Sequence, residues 1–144
     1  MLIPIVLMLA ASFVSKIISS GKDISISSNF IRFGYALIPL GLGIHLAHNA
    51  KHFLGEGLSV IYTSASLVGL NITGDMSILN MPTIQIIQYI LSIPGVLGAV
   101  YTAHKISTNN PESKASALPY IIMILLFGLI ALWMYSIPMA ARAH

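Results

Sequence analysis

Long apolar runs separated by short polar connections leave this chain one way to fold if lipid surrounds it. Without water, each run must satisfy its own peptide N–H and C=O groups, and an α-helix does so within a single segment. The runs lie at about residues 2–18, 31–54, 83–104 and 118–138. About 20 apolar residues cross the hydrocarbon core of a bilayer. Only 8% of the 144 residues are charged and 56% are hydrophobic, whereas a soluble domain carries about a quarter charged residues. Too little polar surface remains to cover a water-soluble globule. The expectation is an all-α integral membrane bundle of four transmembrane helices, a single domain over residues 1–144 in contact with the lipid bilayer.

The first run, LIPIVLMLAASFVSKII, carries Pro4 in its first turn, where a missing N–H does little harm. No basic stretch precedes it and Lys16 lies at its far end, which fits a retained helix better than a cleavable signal. In the second run, Pro39 predicts a kink, and Gly34, Gly41 and Gly43 permit close approach of a neighbouring helix. Gly55 and Gly57 are expected to end that helix. Residues 55–82 then read as an interfacial loop, because Leu58 to Leu70 is apolar but too short to span. Asn71-Ile72-Thr73 in that loop matches the N-glycosylation acceptor pattern. Pro94-Gly95 predicts a second kink, in the third helix, and Lys105 to Lys114 reads as a polar loop. Trp133 and Tyr135 suit an interfacial aromatic belt.

Charge sets the expected orientation. Lys16, Lys22, Arg32, Lys105 and Lys114 flank the first and third connections, whereas the second connection and the tail hold only Lys51 and Arg142. The positive-inside rule puts both termini and the 55–82 loop on the outer side of the cell membrane. A formal charge of +3 carried on scattered residues gives no support to nucleic-acid binding. Cysteine is absent, which removes disulfides, cysteine-ligated clusters, c-type haem attachment and thiol catalysis from this chain.

The chemistry-bearing residues gather on the second run. His45, His48 and His52 are spaced i, i+3 and i+7 and so share one helix face. Imidazoles in lipid are expected to turn into a bundle interior and find partners there. Counting residues inward from the outer helix ends puts Met8, His48, His52, Gln85, Gln88 and Met134 in one outer-half layer, with His45 near the midplane. His104 belongs to the opposite, inner end, near Tyr101 and Tyr120. Three uses of the outer layer stay open. Haem b needs axial ligands on facing helices, for which His45, His48 or His52 would pair with Met8 or Met134. A metal, copper above all, would be held by His48 and His52 with Met8 and Met134. Alternatively the histidines and Gln88 make hydrogen bonds only, to a quinone headgroup or between helices. Asn49 is placed to orient an imidazole or to cap a kink. No intramembrane acid, nucleophile or acid–base pair points to conventional catalysis.

The run Tyr35-Ala36-Leu37-Ile38-Pro39-Leu40, followed by His45, His48-Asn49, His52 and Glu56-Gly57, carries a resemblance. So does the later order Gln85, Gln88, Gly95, Tyr101-Thr102, Leu118-Pro119-Tyr120 and Pro138 to Arg142. Over about residues 31–142 the chain resembles the carboxy-terminal membrane module of polytopic ferredoxin-type electron-transfer proteins, the group of the membrane ferredoxin of periplasmic nitrate reduction. The resemblance implies a small subunit of a respiratory or redox membrane complex, working with other membrane subunits. Since this chain has no cysteine, it also implies an iron–sulfur cluster carried by a partner subunit. Copper or other metal handling at the outer face, and a purely structural accessory role, are the alternatives.

Overall fold

The structure, a computed structural model, describes residues 2–18, 25–70, 72, 74–75, 77–109 and 117–137. Lys22, Asn71, Thr73, Lys114, Pro138, Met139, Arg142 and His144 lie outside the described residues, and with them the glycosylation pattern and part of the charge argument. Among the described residues the chain is all helical: α1 (Leu2–Ile18), α2 (Ile26–Gly34), α3 (Leu37–Leu67), α4 (Met81–Thr108) and α5 (Leu118–Ser136).

The second run is two helices, not one helix kinked at Pro39. Proline lacks an N–H, and its ring collides with the carbonyl four residues back, here Tyr35. The helix therefore parts one turn before the proline. Tyr35 and Ala36 form a turn, closed by i→i+3 bonds in which Ala36 N donates to Phe33 O at 3.0 Å and Ile38 N to Tyr35 O at 3.2 Å. The axes of α2 and α3 differ by 40° across it.

α3 also runs further than the sequence reading allowed. Gly55 and Gly57 do not end it, and residues 55–67 continue the histidine helix rather than forming a separate loop. Glycine stops a helix by adopting positive φ, and among the described glycines only Gly69 does, at +83°. There Gly69 N donates to Ser66 O and Leu70 N to Ala65 O, the two bonds of a Schellman cap. Gly55 and Gly57 serve packing: Ile84 Cδ1 and Ile78 Cδ1 lie 3.7 and 3.2 Å from where their Cβ atoms would be. The described connection is thus confined to residues after Leu67. It is fastened to α3 by Ile78 N donating to Leu54 O at 2.7 Å.

α4 opens on Asn80, whose side chain accepts from Thr83 N at 3.1 Å. It passes through Pro94 as one helix and continues to Thr108, so Lys105 to Thr108 are helical rather than loop. Its buried residues include Gln88, Ser92, Gly95, Ala99, Ala103 and Ser107, a small or polar stripe at helical spacing. The outward residues are large and apolar, such as Ile86, Ile90, Leu97 and, on α5, Leu129. Small residues inside and bulky ones outside is the pattern of helices that meet one another within lipid. α4 and α5 are each long and apolar enough to cross a membrane, and the bent α2–α3 pair raises the number to three.

Candidate functional site

On α3 the face toward the bundle belongs to Leu40, Gly43 and Ala47. Gly43 and Gly95 put two backbones in contact: a Cβ built on Gly43 would lie 2.9 Å from Gly95 Cα. An interface that tight has no room for imidazoles. At about 100° per residue, His48, His52 and His45 stand about 100°, 140° and 160° around the helix from Ala47. His45 and His48 are exposed, and the His52 side chain is 43% exposed. The expectation that these rings face the interior of this bundle is corrected: they share one face, and it points outward.

The three form a line rather than a cage. The His48 and His52 rings meet edge to face with centroids 4.7 Å apart, and His52 Nδ1 lies 3.5 Å from Glu56 Oε2. Asn49 Nδ2 donates to the His45 backbone carbonyl at 2.7 Å and so orients no imidazole. His45 and His48 share an open groove of about 470 Å³ with Ala131, Met134 and Tyr135 of α5. Met134, 61% exposed, is therefore the one predicted sulfur ligand that the fold brings near the histidines.

Met8 is not. Antiparallel α1 sets Ser15 beside Asn29, whose Nδ2 donates to Ser15 Oγ at 3.0 Å, and Met8 beside Gly34. In that register α1 begins about level with Leu40, short of His45. Met8 is buried in the core cluster with Phe33 and Leu40. Counting depth from the ends of the apolar runs misplaces it because the helices do not start at one level.

Gln88 is 1% exposed and lies on the α3–α4 seam, away from the histidine face. Its Nε2 donates to Ala47 O at 3.3 Å, Gln85 Nε2 donates to Tyr135 O at 3.0 Å, and Tyr135 Oη donates to Ile44 O at 3.2 Å. These bonds tie α3, α4 and α5 together, each worth about 0.6–2 kcal/mol in a membrane. His104 is exposed at the other end of α4, while Tyr120 turns into the core, so the two are not brought together. Sequence reading missed the buried pairs Tyr120–Ser12 and Asn29–Ser15. Their signal was present: Ser12 and Ser15 continue the helical stripe of Met8 and Ala11.

Among the described residues no group of three or more histidine or acidic side chains is arranged to hold a metal ion. Along the open groove the described residues offer two imidazoles from α3 and the Met134 thioether from α5, the donor types of a copper or His/Met haem site but without an enclosing cage. No family model matches the chain, and neither a curated protein nor a solved structure does. What the chain does is carried by its own geometry.

Proposed function

We propose that this chain is a small integral-membrane subunit of a larger membrane complex, docked to another subunit through the histidine face of α3. The observation that carries the reading is the outward line His45, His48 and His52 on a helix that, together with α2, is long and apolar enough to cross a membrane. Centring the apolar part of α4 on the bilayer puts His45 near the midplane and His52 about 10 Å farther out. Imidazoles at that depth are costly against hydrocarbon and are found facing protein or water. Another subunit is the surface that removes the cost. The proposed topology keeps four spans and both termini outside: α1, at 17 residues, reaches about 26 Å and packs against α2 and α5. A redox role for the complex rests on the resemblance described above. Any haem b or copper would need ligands from the neighbouring subunit to join His45, His48 and Met134.

Because the chain has no native cysteine, single cysteines can report on each face. His48→Cys, labelled in native membranes with a photoactivatable maleimide, is expected to give one discrete adduct with another polypeptide. Leu97→Cys, on the outward face of α4, is expected to label lipid alone. Lipid labelling from both positions would refute the docking face. A reduced-minus-oxidised spectrum of the intact complex, with and without His48→Ala, tests haem separately.

A further inference from the structure

A second cleft, separate from the histidine groove but sharing Tyr135 with it, lies where α3, α4 and α5 meet. Lys51, Met81, Gln85, Gln88, Tyr135 and Ile137 line a cleft of about 180 Å³ at the end of the bundle, where α4 starts and α5 stops. Three polar groups there lack partners. Lys51 makes no ion pair or hydrogen bond among the described residues. Gln85 and Gln88 spend their Nε2 groups on Tyr135 O and Ala47 O, and their Oε1 atoms accept nothing among the described residues. For Gln88, 1% exposed, an unpaired carbonyl is a buried acceptor that water outside the cleft cannot reach. The Nε2 bond to a backbone carbonyl fixes which end of that amide is the oxygen.

The arrangement asks for one anion and two hydroxyl donors. We propose that this cleft binds a hydroxyl-bearing phosphodiester, the chemistry of a phosphatidylglycerol headgroup. The phosphodiester pairs with the Lys51 ammonium at the mouth, and the two glycerol hydroxyls donate to the Oε1 atoms of Gln85 and Gln88. The mouth lies beside Met81, in the first turn of α4, where the helix dipole also favours negative charge. With the membrane placement proposed above, on which this inference rests, the mouth is level with lipid phosphates. Acyl chains would leave past the apolar flank made by Met81 and Ile137.

The test uses the full chain in detergent micelles, with native mass spectrometry counting retained lipid. Failure of the membrane reading shows first, as a chain that is monodisperse without detergent. In micelles, phosphatidylglycerol is expected to be retained at one per chain, about tenfold more tightly than phosphatidylcholine, which offers no donor and no net charge. Phosphatidic acid, anionic but without the glycerol, is expected to fall between them. Lys51→Met should lower phosphatidylglycerol retention most of the way toward the phosphatidylcholine level, since the two hydroxyl contacts remain. Gln88→Met should lower it part of the way toward the phosphatidic acid level, since Gln85 still accepts one hydroxyl. Soluble glycerophosphoglycerol displacing the lipid at equal concentration would keep the chemistry and assign a soluble source. Equal retention of all three lipids, or retention untouched by Lys51→Met, would overturn the site. Lys51 makes no hydrogen bond or ion pair among the described residues, so its variant remains informative if Gln88→Met folds poorly.

Discussion

Gly95→Leu is expected to unfold the bundle, and Gly41→Leu to leave it intact. A Cβ on Gly95 would lie 2.8 Å from the Pro39 carbonyl oxygen and 2.9 Å from Gly43 Cα. Both obstacles are backbone, so no rotamer change relieves them. α3 must move away from α4, and the Gln88 bond to Ala47 O goes with it. Overpacking costs about 1–3 kcal/mol per site and occasionally more. Backbone obstacles and a severed interhelical bond put Gly95→Leu above about 3 kcal/mol, and Gly95→Ala inside the ordinary range. Gly41 stands on α3 with nothing within 4 Å of its would-be Cβ, so a side chain there meets open space. Titration of the micelle-bound protein with dodecyl sulfate, followed by the fluorescence of Trp133, gives the comparison. Equal midpoints for the Gly41 and Gly95 variants would mean that the two backbones do not touch.

That contact also shows why part of the fold was legible in the chain and part was not. The apolar runs announce helices because only a helix closes its peptide hydrogen bonds without water inside one segment. Where the helices stop was harder to see. Gly55 and Gly57 look like terminators, as Gly69 is, but the residue type is the same in both cases. What differs is the chain around each: Ile84 and Ile78 fill the hollows at the first two, while the carbonyls of Ala65 and Ser66 fold the chain over at the third. Those partners are 20 or more positions away for Gly55 and Gly57, beyond any local pattern. Pro39 was read as a kink at its own position. Its effect is exerted on Tyr35, one turn earlier, which is what the proline ring does to the carbonyl behind it.

The candidate site divides in the same manner. The spacing of His45, His48 and His52 gave their shared face, and the structure keeps it. Periodicity alone does not say which way a face points. Two stripes on α3 competed for the bundle interior, one polar and one of small residues. The small one, with Gly43 and Ala47, won because backbone contact with Gly95 is available only to it. Gln88 matches the histidines in depth, yet it lies on α4 against that winning stripe, bonded to Ala47 O. The sulfur ligands separated for a different reason. Met134 shares a groove with His45 and His48, whereas Met8 follows the register of the α1–α2 hairpin into the core.

Tyr120→Ala is expected to release α1 from the bundle, while Tyr120→Phe leaves it docked. Tyr120 is fully buried, its ring stacks on Phe33 with centroids 4.1 Å apart, and its hydroxyl donates to Ser12 Oγ at 2.6 Å. Together with Asn29–Ser15, these contacts hold α1 against α2 and α5. Truncating a buried aromatic costs about 3–5 kcal/mol in a soluble core. Within lipid the transfer part of that cost falls away and the lost packing remains, so about 2–3 kcal/mol is expected here. Phenylalanine keeps the stack and loses one hydrogen bond. Ser12 is not stranded by that change, because its own hydroxyl still donates to Met8 O at 2.7 Å. The cost should stay near the low end for a membrane hydrogen bond, about 0.6 kcal/mol. Maleimide labelling of Ser15→Cys reads the difference: buried and slow in the parent background, fast once Tyr120→Ala is added, and nearly unchanged with Tyr120→Phe. If the phenylalanine variant labels as fast as the alanine one, the hydroxyl rather than the ring is what holds α1, and the stacking account of this seam is wrong.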